Sequence, residues 1–198
     1  MSEVTRRDAL RRLALAFTAA GFIDRVDARE IHDLAAQATA PGGAYTPKTF
    51  TGAQFKTLEK LADLIIPVEN GKPGALAAGA APWIDMISSE NDDLKASYAR
   101  GFAWLDAAMK ARGAKDFASA SVADQTAVLD LIAYRRNASP ELTPGIEFFT
   151  LVRRMTVDAF YTSEIGIKDI DYRGNSPMAS YPSPTEAIEY ALKRVPSL

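Results

Sequence analysis

The strongest constraint on the fold lies between Phe148 and Phe160. Phe148, Phe149, Val152, Met155 and Phe160 recur there at the three- and four-residue spacing of a helix buried along one face. Pro144 stands where a helix-initiating proline belongs. The pattern predicts one long helix that stops at Gly166 and runs into an aromatic, charged loop over residues 163–175. Ile165, Ile167, Ile170 and Tyr172 in that loop need cover, either from this chain's own core or from a partner. Tyrosine and arginine are favoured interface anchors, so Ile167, Lys168, Ile170, Tyr172, Arg173 and Asn175 are the candidate interface residues.

The rest of the body reads as helices that would pack around this one. Thr51 with Gln54 forms a capping box, Phe50 and Phe55 fit a hydrophobic staple, and Phe55, Leu58, Leu61, Ala62 and Ile65 share one face before Pro67. A Gly/Ala-rich connection over residues 68–80 precedes a short helix opened by Pro82 and carrying Trp83, Ile84 and Ile87. Asn91 caps a helix with Leu94, Tyr98, Phe102, Leu105 and Met109 inward, closed by Gly113. Ser121 with Asp124 starts another, carrying Val128, Leu129, Ile132 and Tyr134. Residues 185–194 predict a last amphipathic helix with Ile188 and Leu192 inward. No stretch alternates at period two for long enough to demand a sheet. The expected fold is all-α, a compact irregular helical bundle with an N-terminal helical arm.

The N-terminus has a different character. Arg6 and Arg7 follow Thr5, and a weakly apolar run from Leu13 to Ile23 follows Arg11 and Arg12. A basic start before a dozen apolar residues is the layout of an export signal, and the arginine pair resembles the twin-arginine motif, with Ala9 where that motif prefers phenylalanine. An amphipathic surface helix with a solvated arginine face is the other reading. The run is too short for a bilayer span, which needs roughly 20 residues. Residues 24–39 read as a helix and residues 41–47 as a Pro/Gly linker. The expected organisation is a signal and helical arm over residues 1–40, a linker over 41–50 and a body over 51–198.

Composition removes most chemistries. The chain has no cysteine and one histidine, His32, so thiolate metal sites, cysteine nucleophiles and multi-imidazole sites are excluded. A net charge of -2 gives no basic footprint for nucleic acid. No glycine-rich nucleotide cradle is present. Asp92/Asp93 and Asp169/Asp171 have the composition of general acids or hard-metal ligands, yet aspartates at helix starts and in loops are usually caps. Trp83 and Trp104 read as core. Arg135/Arg136 and Arg153/Arg154 read as solvated faces, with an internal ion pair expected for one of the second pair. The residues alone assign no catalytic, cofactor-binding or metal site.

Several stretches in order resemble a known family, the subunit 3 (small, or gamma) family of gluconate 2-dehydrogenase. They are Phe55–Pro67, Gly79–Asp85, Gly101–Asp106, Gln125–Ile132, Phe148–Thr156, Phe160–Lys168 and Tyr172–Asn175, together covering roughly residues 50–180. The resemblance implies a non-catalytic subunit that accompanies a large FAD-dependent oxidoreductase subunit of the glucose–methanol–choline (GMC) type, often with a cytochrome c subunit as electron acceptor. It implies an escort role in which this chain carries the export signal for a large subunit that lacks one. The complex would oxidise a sugar, sugar acid or glycoside in the periplasm or at the membrane, or remain cytoplasmic were the signal degenerate. Two other readings remain. One is a stand-alone helical ligand-binding or scaffolding module of the cell envelope, with a pocket lined by Trp83, Trp104 and Tyr172. The other is a catalyst using Asp169 and Asp171.

Overall fold

The computed structural model describes residue 35, residues 45–172, residue 174 and residues 184–194. Among these residues there are seven α-helices and no strand. They are α1 (Gly52–Ile65), α2 (Ala80–Ser89), α3 (Asp92–Ala111), α4 (Val122–Ile132), α5 (Thr143–Tyr161), α6 (Glu164–Asp169) and α7 (Thr185–Leu192), with a 3-10 turn at Arg135–Asn137 between α4 and α5. The chain is all-α, as its periodicities predict. Arg6, Arg7, His32, Arg173 and Asn175 lie outside the described residues.

Helix starts follow from the residues that precede them. Thr51 Oγ1 accepts from the Gln54 amide at 3.3 Å while Gln54 Oε1 accepts from the Thr51 amide at 3.0 Å, so the capping box is complete. The Asn91, Ser121 and Ser163 side chains each accept from the backbone N–H three residues on, relieving donors that a first helical turn leaves unpaired. Helix α1 stops at Ile65, just before Pro67. Helix α2 starts at Ala80, two residues earlier than its proline suggests, because Gly79 at φ 72° supplies the left-handed turn in front of it.

Helix α5 is the hub and packs against α1, α2, α3, α4 and α6. Its stripe Phe148, Val152, Met155, Ala159 and Phe160 is buried. Phe148 joins Phe50, Tyr98 and Phe102 in an aromatic cluster with neighbouring ring centroids from 5.1 to 6.0 Å apart. Such pairs add about 0.5–1.5 kcal/mol each beyond their area burial. The α3–α5 crossing is close because each helix offers a glycine to the other's aromatic ring. A Cβ on Gly101 would sit 1.9 Å from the Phe148 ring, and one on Gly145 would sit 2.5 Å from the Trp104 ring. Trp83 is fully buried, while Trp104 is partly buried and donates its indole N–H to the Glu141 carbonyl at 2.9 Å.

Four expectations need correction. The long helix does not reach Gly166; it stops at Tyr161, where Thr162 Oγ1 turns back to the Asp158 carbonyl. The stretch expected to be a loop after it is helical from Glu164 to Asp169, capped by Ser163. Tyr134 lies beyond the end of α4 and is exposed, since the chain turns into the 3-10 segment at that point. Helix α7 forms as predicted but buries no residue, and Ile188 and Leu192 face outward.

Candidate partner interface

The candidate interface sits at the corner where α5 meets α6. Ser163 makes the corner with both of its hydrogen-bonding functions. Its hydroxyl donates to the Phe160 carbonyl at 2.6 Å and accepts from the Gly166 amide at 3.1 Å. Gly166 is then pressed onto the end of α5, where a Cβ would lie 2.0 Å from the Phe160 carbonyl oxygen. Only glycine permits that approach. After α6, Asp171 takes a left-handed conformation at φ 49°, and the Tyr172 amide returns to the Ile167 carbonyl at 3.1 Å.

This geometry turns apolar side chains outward. Tyr161, Ile167, Ile170 and Tyr172 are 42%, 38%, 53% and 62% exposed. The turn that connects α1 to α2 is fastened beside them by an ion pair between Lys72 Nζ and Asp169 Oδ1 at 2.9 Å, and it exposes Val68. The hydrogen bond and charge of Asp169 hold the Lys72 ammonium above its ordinary pKa. Lys168 pairs with Glu164 along the outer face of α6 at 2.6 Å, which lowers the Glu164 carboxyl pKa. The corner therefore carries large apolar side chains rimmed by paired charges, a composition that suits a protein interface.

Of the residues singled out beforehand, Ile167, Lys168, Ile170 and Tyr172 share this one corner. Asp169 is committed to Lys72, and Asp92 to Lys95 at 3.0 Å in the first turn of α3. Among the described residues no group of three or more acidic or histidine side chains is arranged to hold a metal ion. The pocket expected from Trp83, Trp104 and Tyr172 is not formed. Trp83 is in the core, Trp104 rests on Gly145 near the start of α5, and Tyr172 lies beyond its other end.

Sequence reasoning missed Asp85. This carboxylate on α2 is fully buried and accepts four hydrogen bonds. Oδ1 takes the amides of Thr49 and Phe50 at 3.0 and 2.9 Å, and Oδ2 takes the Lys48 amide at 2.6 Å and the Tyr45 hydroxyl at 2.7 Å. Burial, reinforced by this carboxylate, pushes the Tyr45 phenol far above its usual pKa. The segment over residues 45–50 is thereby pinned across α2. The available signal was a single charge inside the apolar run Ala80–Ile87, which an isolated aspartate enters only when fully hydrogen-bonded.

The family model for gluconate 2-dehydrogenase subunit 3 matches residues 52–181. The chain belongs to the gluconate 2-dehydrogenase subunit 3 family. No curated protein and no solved structure matches it. The subunit 3 match begins at the first residue of α1 and ends beyond the α6 corner, so it includes Asp85 and the exposed apolar residues but not α7. The family name describes a subunit of a dehydrogenase assembly, which makes this chain an accessory component with a partner. No helix among the described residues is long and apolar enough to cross a membrane.

Proposed function

We propose that this chain is the non-catalytic small subunit of a heteromeric FAD-dependent oxidoreductase of the GMC type, acting on a sugar, sugar acid or glycoside. In that role it stabilises the large flavin subunit and escorts it through twin-arginine export by means of Arg6 and Arg7, to the periplasm or the membrane surface. FAD would be held by the large subunit, and a cytochrome c subunit is a fitting electron acceptor. The observation that carries the reading is the cluster of outward apolar side chains at the α5–α6 corner, within the region matched by a family named for its place in a dehydrogenase. Burying Ile167, Ile170, Tyr161 and Tyr172 against a partner would contribute roughly 25 cal/mol per Å² of apolar surface removed from water.

The test is co-expression with a large FAD-dependent subunit of the GMC type as the candidate partner. Ile170→Asp combined with Tyr172→Ala should leave the circular dichroism of the small subunit unchanged, since both side chains are exposed, and should abolish co-purification of the flavoprotein. Undiminished co-purification of that double variant would move the interface elsewhere.

A further inference from the structure

A cleft of about 480 Å³ opens on the opposite half of α5 from the α6 corner. One wall is a continuous stripe of that helix, Thr143, Ile146, Glu147, Thr150, Leu151 and Arg154, and the other is Arg135 with Ala138 after the 3-10 turn. Ile146 and Leu151 make an apolar floor; Arg135, Arg154 and Glu147 supply two positive charges and one negative. A stripe of twelve residues measures about 18 Å at 1.5 Å per residue. None of this is used by the corner proposed above.

Helix α7 has the complementary properties. Its eight residues measure about 12 Å. Ile188 and Leu192, one turn apart, form an apolar stripe that is 47% and 66% exposed, and the helix buries nothing. Glu186, Glu189 and Lys193 follow at intervals of three and four along the neighbouring flank, giving two negative charges and one positive. Arg194 is turned away onto the Tyr190 ring at 3.8 Å. The helix thus fits within the length of the cleft and matches it in apolar content and in the sign of each charge.

The connection is long enough. Residues 173–183 join the α6 corner to α7, and an extended chain of that length reaches roughly 40 Å. From Tyr161 back to Leu151 along α5 is about 15 Å. A connection of this length leaves the cleft within reach of the helix, and an intramolecular partner needs only a weak intrinsic fit.

We infer that the α5 cleft is a docking site for an acidic amphipathic helix and that its occupant is this chain's own α7. In the docked state Ile188 and Leu192, which the structure leaves exposed, would enter over Ile146 and Leu151, with the two glutamates toward Arg135 and Arg154 and Lys193 toward Glu147. Because α7 lies outside the family-matched region, the docked helix is a feature of this chain's own C-terminal segment.

The absence of native cysteine makes the test direct. Full-length protein carrying Thr150→Cys and Ala191→Cys is oxidised mildly at low protein concentration and run on a non-reducing gel. Expected is a cross-linked monomer, formed about tenfold more slowly after Arg135→Glu with Arg154→Glu. Restoration should follow from adding Glu186→Arg with Glu189→Arg. A second measurement needs no charge reversal: hydrogen exchange over residues 135–151 should be faster in a chain ended at Pro184 than in the full chain. Cross-linked dimers without cross-linked monomers would give the cleft to a second copy and overturn the assignment. Cross-linking indifferent to charge reversal, or exchange unchanged by removing α7, would overturn it as well.

Discussion

Replacing Asp85 by alanine is the most severe single change the structure offers at a polar position. Four donors converge on this carboxylate, and each hydrogen bond to a charged acceptor is worth about 1.5–3 kcal/mol. The plain sum overstates the loss for two reasons. The wild-type protein already bears the cost of burying the charge, and the donors of Tyr45, Lys48 and Thr49 are only part-buried, so water can reach them once the segment lifts. A loss of about 3–5 kcal/mol remains, because donors left without an acceptor cost about 1–3 kcal/mol each, most of all the buried Phe50 amide. At about 2–4 °C per kcal/mol for a domain of this size, the melting temperature should fall by roughly 6–20 °C.

Asparagine at position 85 divides the effect. Its oxygen still accepts from Thr49 and Phe50, and the Tyr45 hydroxyl can rotate to accept from the new amide. The Lys48 N–H then faces another donor. Asp85→Asn should therefore lose about half as much as Asp85→Ala, and Tyr45→Phe about 1 kcal/mol. Scanning calorimetry measures the series, and limited trypsinolysis at Lys48 reports whether the segment over residues 45–50 has come free. An Asp85→Ala protein that melts with the wild type and protects Lys48 equally would refute the idea that this carboxylate pins the segment.

Gly101→Ala should destabilise the protein by at least about 1–3 kcal/mol, because the added methyl meets the buried Phe148 ring at 1.9 Å and that ring is held by two aromatic neighbours, Tyr98 and Phe102. Chemical denaturation checks this, with Gly113→Ala as the comparison, whose cost should be purely conformational since no atom lies near its Cβ. Burial raises the Asp158 pKa against the opposing charge of Arg154, so the folded state keeps that proton to higher pH than the unfolded chain does. Its contribution is then full below the unfolded value and is lost as pH rises through the folded one. Melting curves across the acid range should show Asp158→Asn gaining on the wild type as pH increases; the opposite trend would contradict the sign.

What the sequence disclosed, and what it withheld, follows the range of the interactions. Capping is local, and Thr51 with Gln54, Asn91 and Ser121 could be read directly because each partner lies three residues away. The buried faces of α1, α3 and α5 were legible because a helix repeats its environment every turn. The Gly101–Phe148 and Gly145–Trp104 contacts were not, because each joins positions far apart in the chain, by 47 and 41 residues, and leaves no periodic trace. Asp85 was hidden for the same reason, its partners lying 35 to 40 residues upstream.

The α5–α6 corner shows how a local signal can be misread. Phe160, Ile165 and Gly166 continue an apolar pattern, so periodicity alone runs the helix on to Gly166. The structure breaks it at Thr162 and Ser163, whose hydroxyls both compete for carbonyls of the last turn, and Gly166 serves as the contact point of a second helix. That break has a consequence for binding. A continuous helix would have carried Ile167 and Ile170 onward in the direction of α5. The fold instead sets them beside the Lys72–Asp169 ion pair, so that Ile167 and Ile170 share one corner with Tyr161 and Tyr172. The polar residues that stop α5 are therefore what gives the candidate interface its shape.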